Sequence, residues 1–189
     1  MKIVVGISGA SGSIYGVRLL EKLRAQPDLE IHLVVTRAAE KTLFLETGRK
    51  SSELKELAHY YYALEDIGAR LASGSFRTDG MVIAPCSVHT MSAIAAGISS
   101  NLLIRAADVS LKERRTLVLM VRETPLHLGH LRTMVALAEM GALIVPPIPA
   151  FYTKPESVMD IVDGSVDRAL DLLRIPDRDC KRWPGGRAE

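Results

Sequence analysis

Long apolar runs are missing from this chain. No stretch approaches the ~20 residues that cross a bilayer, so no membrane-spanning segment is expected. Cysteine is scarce, with only Cys86 and Cys180. A disulfide framework is therefore not expected, and a reducing, cytoplasmic setting suits the composition. Charge of one sign is also lacking. The 24 basic and 22 acidic residues leave a net +2, which gives no field for nucleic acid. Gly-x-Gly-x-x-Gly is absent, because the early glycines fall at 6, 9, 12 and 16. Gly-Lys-Ser/Thr is absent too, which argues against a Walker-type nucleotide loop. No Asp-rich metal motif occurs, so a magnesium–diphosphate reaction is not expected. The chain opens directly on a strand pattern, so no signal peptide is expected. There is no internal repeat and no low-complexity segment.

What is present fits one domain over residues 1–189, with a core over 1–175 and a polar tail over 176–189. Apolar residues make up 48%, and the mean hydropathy is +0.14. That slight excess predicts either a large core or surface hidden in an oligomer. The chain is organised around Gly6-Ile7-Ser8-Gly9-Ala10-Ser11-Gly12-Ser13-Ile14-Tyr15-Gly16. A short apolar run precedes it and a helical pattern follows. Glycines let backbone approach closely, and first-turn N–H groups can face an anion. The stretch is thus a candidate phosphate loop; the plainer reading is an ordinary strand-to-helix turn.

Five strands are predicted over Lys2–Ser8, Glu30–Thr36, Met81–Ala84, Thr116–Val121 and Ala142–Val145. Helices are predicted over Ser11–Ala25, Arg37–Glu46, Ser51–Ala58, Cys86–Gly97, Asn101–Arg115, Pro125–Met140 and Pro155–Leu173. Pro85 is expected to stop its strand. Ser51 or Ser52 should cap the third helix, and Pro155 should lie in the first turn of the last. Non-alternating apolar strands between helices imply a parallel sheet covered on both faces. The fold class is α/β: a three-layer α/β/α, doubly wound, Rossmann- or flavodoxin-like sheet.

In such sheets ligands lie beyond the carboxyl ends of the strands. The residues there are Ser8 to Ser13, Thr36, Cys86 to Thr90, Arg122-Glu123 and Phe151-Tyr152. A dinucleotide site wants an acid after the second strand to hold a ribose hydroxyl. Thr36 is neutral there, which permits a mononucleotide such as FMN. Ser87 is placed to cap its helix. Arg122 suits a phosphate, or else a surface ion pair. Glu123 suits proton transfer. Arg105 and Lys112 lie a heptad apart and share a helix side. His127-x-x-His130 has metal-compatible spacing but no third ligand. Cys86 is a candidate nucleophile or, more simply, a packing residue.

Several short runs together carry a family resemblance. They are Gly9-Ala10-Ser11-Gly12, Pro85-Cys86-Ser87, Arg105-Ala106-Ala107-Asp108-Val109 and Leu111-Lys112-Glu113-Arg114-Arg115. Val121-Arg122-Glu123-Thr124-Pro125-Leu126, Pro149-Ala150-Phe151-Tyr152 and Arg182-Trp183 complete the set. In this order, across nearly the whole chain, they resemble the UbiX-type flavin prenyltransferases, formerly described as aromatic-acid decarboxylase subunits. The resemblance implies transfer of a dimethylallyl group from dimethylallyl monophosphate to N5 and C6 of reduced FMN. The product, prenylated FMN, serves UbiD-type decarboxylases in aromatic-acid decarboxylation and ubiquinone synthesis. It also implies no metal, and commonly a homododecamer with sites at subunit interfaces.

Carried over by position, Gly9, Ala10, Ser11, Thr36, Ser87, Val88, His89, Thr90 and Arg122 match FMN contacts. Tyr152 and Arg168 match contacts to dimethylallyl phosphate, with Lys112, Glu123 and Glu46 lining that pocket. Ser11 and Glu123 match residues of proton handling, and Trp183 a tail aromatic that closes the site. Thr36 departs from a common Ser, His89 falls where the family varies, and residues 48–72 match weakly. Two other readings remain: an FMN-dependent cysteine-type decarboxylase and a non-catalytic FMN-delivery partner of an aromatic-acid decarboxylase. The former carries Pro-Ala-Ser-Ala-Asn-Thr where this chain has Pro85-Cys86-Ser87-Val88-His89-Thr90.

Overall fold

Six parallel strands lie in the order β3-β2-β1-β4-β5-β6. In chain order the elements are β1 (Lys2–Ile7), α1 (Ser13–Arg24), β2 (Glu30–Val35), α2 (Arg37–Thr47), α3 (Ser51–Leu57) and β3 (Tyr60–Tyr62). Then come β4 (Gly80–Cys86), α4 (Val88–Ala95), α5 (Leu102–Lys112), β5 (Thr116–Val121), α6 (Leu128–Glu139), β6 (Leu143–Ile144) and α7 (Val158–Leu172). The computed structural model describes residues 1–176 and 185. Trp183, expected to close the site, lies outside the described residues.

Period-two alternation sends each strand's side chains to opposite faces. Ile3, Val5 and Ile7 enter one core with Val17 and Leu20 of α1 and Val166 of α7. Val4, Met81 and Ile83 enter the other with Met91 of α4 and Leu103 of α5. Both faces are covered, so the strands read as continuous apolar runs. Each fully buried Leu or Ile contributes roughly 1.5–3 kcal/mol. On the first face α7 is tied to α1 by charges one turn apart on each helix. Arg18 grips Asp163 with two bonds of 2.9 and 3.0 Å, and Lys22 pairs with Asp167.

Several expected boundaries differ. The strand β3 was not anticipated: three consecutive tyrosines carry no alternation, and three residues are too few for a pattern. It is held from below by His32, which is fully buried. The His32 ring stacks on Tyr60 at 4.9 Å, and its Nδ1 lies 2.9 Å from the Tyr62 hydroxyl. Burial, only partly opposed by Glu30, holds the His32 pKa below its ordinary value. Pro85 does not stop β4, which runs on to Cys86. Helix α1 begins at Ser13, not Ser11. Lys50 rather than a serine precedes α3, its N–H donating to Glu53 at 2.8 Å. Pro155 precedes α7, whose cap is Ser157 with Asp160 returning to its N–H at 2.9 Å.

The order reverses between β1 and β4, so their following loops leave the sheet side by side. Pairing continues past the strand ends. Thr36 N–H donates to Ile7 O at 3.0 Å, Ser8 N–H to Pro85 O at 3.2 Å, and Arg122 N–H to Cys86 O at 3.1 Å. The buried Ser8 hydroxyl donates to Pro85 O at 2.9 Å and accepts from Ser87 N–H at 2.7 Å. These bonds set Thr36, Ser8, Ser87 and Arg122 abreast along one edge. Elsewhere, α6 buries only Leu137 and exposes Leu128, Leu131 and Val135 at three- and four-residue spacing. Leu45, Ile148, Phe151 and Val158 are also exposed, each above 70%.

Candidate functional site

A cavity of about 760 Å³ opens at this edge, over the reversal between β1 and β4. Its floor is the loop after β1, with Gly9, Ala10 and Ser11. Thr36, Arg37 and Ala38 line one side, and Ser87, Val88, His89 and Thr90 another. Arg122 and Glu123 follow β5, Ser100 and Asn101 precede α5, and Leu64 and Glu65 follow β3. All nine residues expected to contact FMN therefore face one space, with Glu123 beside them.

Three helices begin at this cavity, and each carries a side-chain cap. Thr36 Oγ1 accepts from Ala39 N–H at 3.1 Å, Ser87 Oγ from Thr90 N–H at 3.2 Å, and Asn101 Oδ1 from Ile104 N–H at 3.0 Å. A cap takes one first-turn donor and leaves others for an anion. The helix dipoles add positive potential, and Arg122 adds a full charge. Val88, Leu64 and Ala10 supply apolar wall.

The candidate phosphate loop before α1 behaves otherwise. Gly12 sits at φ 98°, a left-handed conformation that glycine adopts without strain. Its N–H donates to both Glu46 oxygens at 3.1 and 3.0 Å, and Ser13 N–H donates to one at 2.8 Å. The N-terminus of α1 thus already holds an anion, the chain's own carboxylate. Burial opposes ionisation of Glu46, but hydrogen bonds from the Ser11 hydroxyl and these N–H groups outweigh it and lower its pKa. The glycine at 9 has a packing cause: a Cβ there would lie 2.4 Å from Ala38 Cβ. The loop can therefore rest on the first turn of α2.

Glu46 contacts this loop rather than lining the cavity. Lys112 lies farther off, at the end of α5 just before β5 begins, and pairs with Glu113 at 2.7 Å. Tyr152 sits in a single 3-10 turn, Phe151–Thr153, and is half exposed. Arg168 is exposed on α7. None of Lys112, Tyr152 and Arg168 lines the cavity of its own chain. Arg105, on the same helix side as Lys112, donates to Ala72 O at 3.1 Å and pairs with Asp108 at 2.7 Å. Burial pushes the Cys86 thiol up to about 12, which leaves a packing residue and no nucleophile. Glu123 is half buried and accepts from Thr124 N–H at 3.0 Å.

Sequence reasoning missed Arg37, Ala38, Leu64, Glu65, Ser100 and Asn101. Arg37 and Ala38 were within reach, since they open the helix that Thr36 caps. Asn101 carries a cap signature. Leu64 and Glu65 follow a strand that left no pattern.

The family model described as Flavoprotein matches residues 1–170. Flavin prenyltransferase UbiX of Escherichia coli (strain K12) is 54% identical over 186 residues, covering 97% of this chain and 98% of that protein. A dodecameric FMN-dependent UbiX-like decarboxylase from Escherichia coli O157:H7 superposes with a TM-score of 0.96 at 47% identity, over 98% of this chain and all of that one. AnUbiX (PadA1), solved with FMN and dimethylallyl pyrophosphate, superposes at 0.95 with 46% identity, over 98% of each chain. The chain belongs to the UbiX family of flavin prenyltransferases, within the flavoproteins.

Proposed function

We propose that this chain takes reduced FMN and dimethylallyl monophosphate and joins the allyl group to flavin N5 and C6, giving prenylated FMN. The observation that carries this reading is the cavity at the sheet reversal. Donors from three helix starts, Arg122 and apolar wall there suit a flavin mononucleotide. Its phosphate belongs with the open helix starts of α2 and α4, not with α1, where Glu46 is already bound. The flavin ring then extends toward Ser11 and Arg122.

Breaking the allylic C–O bond releases phosphate, whose growing charge needs cations. A monophosphate carries less charge than a diphosphate, and basic side chains suffice to hold it. Apolar wall keeps water from the allylic carbon. Alkylation at N5 releases the N5 proton to the departing phosphate; closure at C6 then takes a proton onto the allyl double bond and gives one up from C6, an exchange for which Glu123 is the donor and acceptor. Glu46 orients the Ser11 hydroxyl. We assign Lys112, Tyr152 and Arg168 to sites completed by neighbouring copies of the chain. Exposed apolar residues on α6 and around Phe151 support such an assembly, and the Escherichia coli O157:H7 relative is described as dodecameric. A UbiD-type decarboxylase in the cytoplasm would be the recipient of the product.

Purified protein incubated with reduced FMN and dimethylallyl monophosphate, without added metal, should yield a flavin heavier by one C5 unit. An unchanged flavin mass rejects the reading. Arg122→Ala should weaken FMN binding about tenfold, the scale of one charge-assisted contact, as read by fluorescence titration.

A further inference from the structure

At the rim of the cavity, two oppositely charged side chains close on each other. Arg37 is the first residue of α2, and Glu65 follows β3 by three positions. Both line the cavity, and Arg37 Nη2 lies 2.6 Å from Glu65 Oε1. Both side chains are largely exposed, at 81% and 60%. No part of the flavin reading used either one. The pair links the segments that follow the neighbouring strands β2 and β3, and it stands beside the α2 first turn, where the flavin phosphate is placed.

We infer that Glu65 is a stand-in anion: it holds Arg37 in the empty site and yields it to the flavin phosphate on loading. The inference rests on the flavin reading above and adds a specificity pair to it. An exposed ion pair is weak, so a dianionic phosphate among helix starts competes for the guanidinium on favourable terms. Arg37 sits at the start of α2, where first-turn N–H groups lack intrahelical partners. Once phosphate takes Arg37, Glu65 is left facing negative charge, which favours release of the bound flavin. An enzyme whose flavin is substrate and product needs exchange, and this pair supplies an opposing charge for it. The same pair distinguishes FMN from riboflavin, because only the phosphate ester competes for Arg37.

The sign of one substitution separates this inference from a simple brace. Binding of FMN and of riboflavin is measured by flavin fluorescence for the full chain and for Glu65→Gln, Arg37→Ala, Arg37→Lys and the Glu65→Gln/Arg37→Ala double variant. Glu65→Gln should tighten FMN binding by about two- to fivefold, the range of a released surface pair. Arg37→Ala should weaken it by about fivefold, with Arg37→Lys close to the parent. Riboflavin should be unmoved in every variant, and the double variant should match Arg37→Ala. Weaker FMN binding in Glu65→Gln, unaltered FMN binding in both single variants, or equal shifts for both flavins overturns the exchange. If the parent chain binds neither flavin, the flavin reading falls and takes this inference with it.

Discussion

The loops after β1 and β4 stand side by side, and they reverse what their sequences advertise. The loop after β1 is rich in glycine and serine and leads into a helix, the usual look of an anion cradle. In the folded chain its helix start is filled by Glu46. The passage from the end of β4 into α4, Pro85 to Thr90, has no glycine at all. At its helix start Ser87 N–H goes to Ser8 Oγ and Thr90 N–H to the Ser87 cap, and no carboxylate is bound there among the described residues. The lesson is about causes. Glycine at 9 answers to the closeness of Ala38, and glycine at 12 to a left-handed φ. Neither requirement involves a ligand. Whether a helix start binds an anion depends on what already sits there.

The largest test of this contrast is at Gly9. Gly9→Ala places a methyl group 2.4 Å from Ala38 Cβ, and the first turn of α2 must move. We expect a loss of about 1–3 kcal/mol in urea unfolding, the usual range for overpacking. FMN affinity should fall more than tenfold, although the residue binds nothing by itself. An unchanged midpoint would show that the loop does not rest on α2.

Ser87→Ala removes the cap of α4 and one hydroxyl from the cavity. About 1 kcal/mol of stability should go, read from the same transitions, and FMN should bind more weakly while riboflavin is less affected. Equal loss for both flavins would move the phosphate away from this loop.

Glu46→Gln should act more gently, by about 0.3–1 kcal/mol at neutral pH, since the carboxylate is solvent-accessible and its charge is screened. The sign with pH follows from its lowered pKa. The folded state favours the ionised form, so the stabilisation is present above the ordinary carboxylate value of about 4.3. It is lost as pH falls through the lower folded value. The parent chain should exceed Glu46→Gln in stability from pH 7 down to about 5, and the gap should close below about 4. A gap that widens on acidification would contradict the assignment.

The smallest expected effect is at Cys86. With its thiol pushed up to about 12 and fully buried, it should resist alkylation in the native chain at pH 8. Rapid modification at that position would place it at the surface.

Much of the edge is legible in the sequence. Thr36, Ser87 and Arg122 fall at ends of strands whose apolar runs are unmistakable, and the rule for parallel sheets does the rest. Glu46 was visible only as a residue matched by resemblance. Its bonds to Gly12 and Ser13 span more than thirty positions, which no local pattern records. Three tyrosines hid β3, and with it the wall at Leu64 and Glu65. Lys112 and Arg168 had family positions, but neither lines the cavity of its own chain, and Lys112 is paired with Glu113.

The most direct measurement is a crystal structure of this protein with FMN. The phosphate should lie against the starts of α2 and α4, near Thr36 and Ser87 to Thr90, with Glu46 still bound to Gly12 and Ser13. A phosphate seated on Gly12 and Ser13, with Glu46 expelled, would contradict the account.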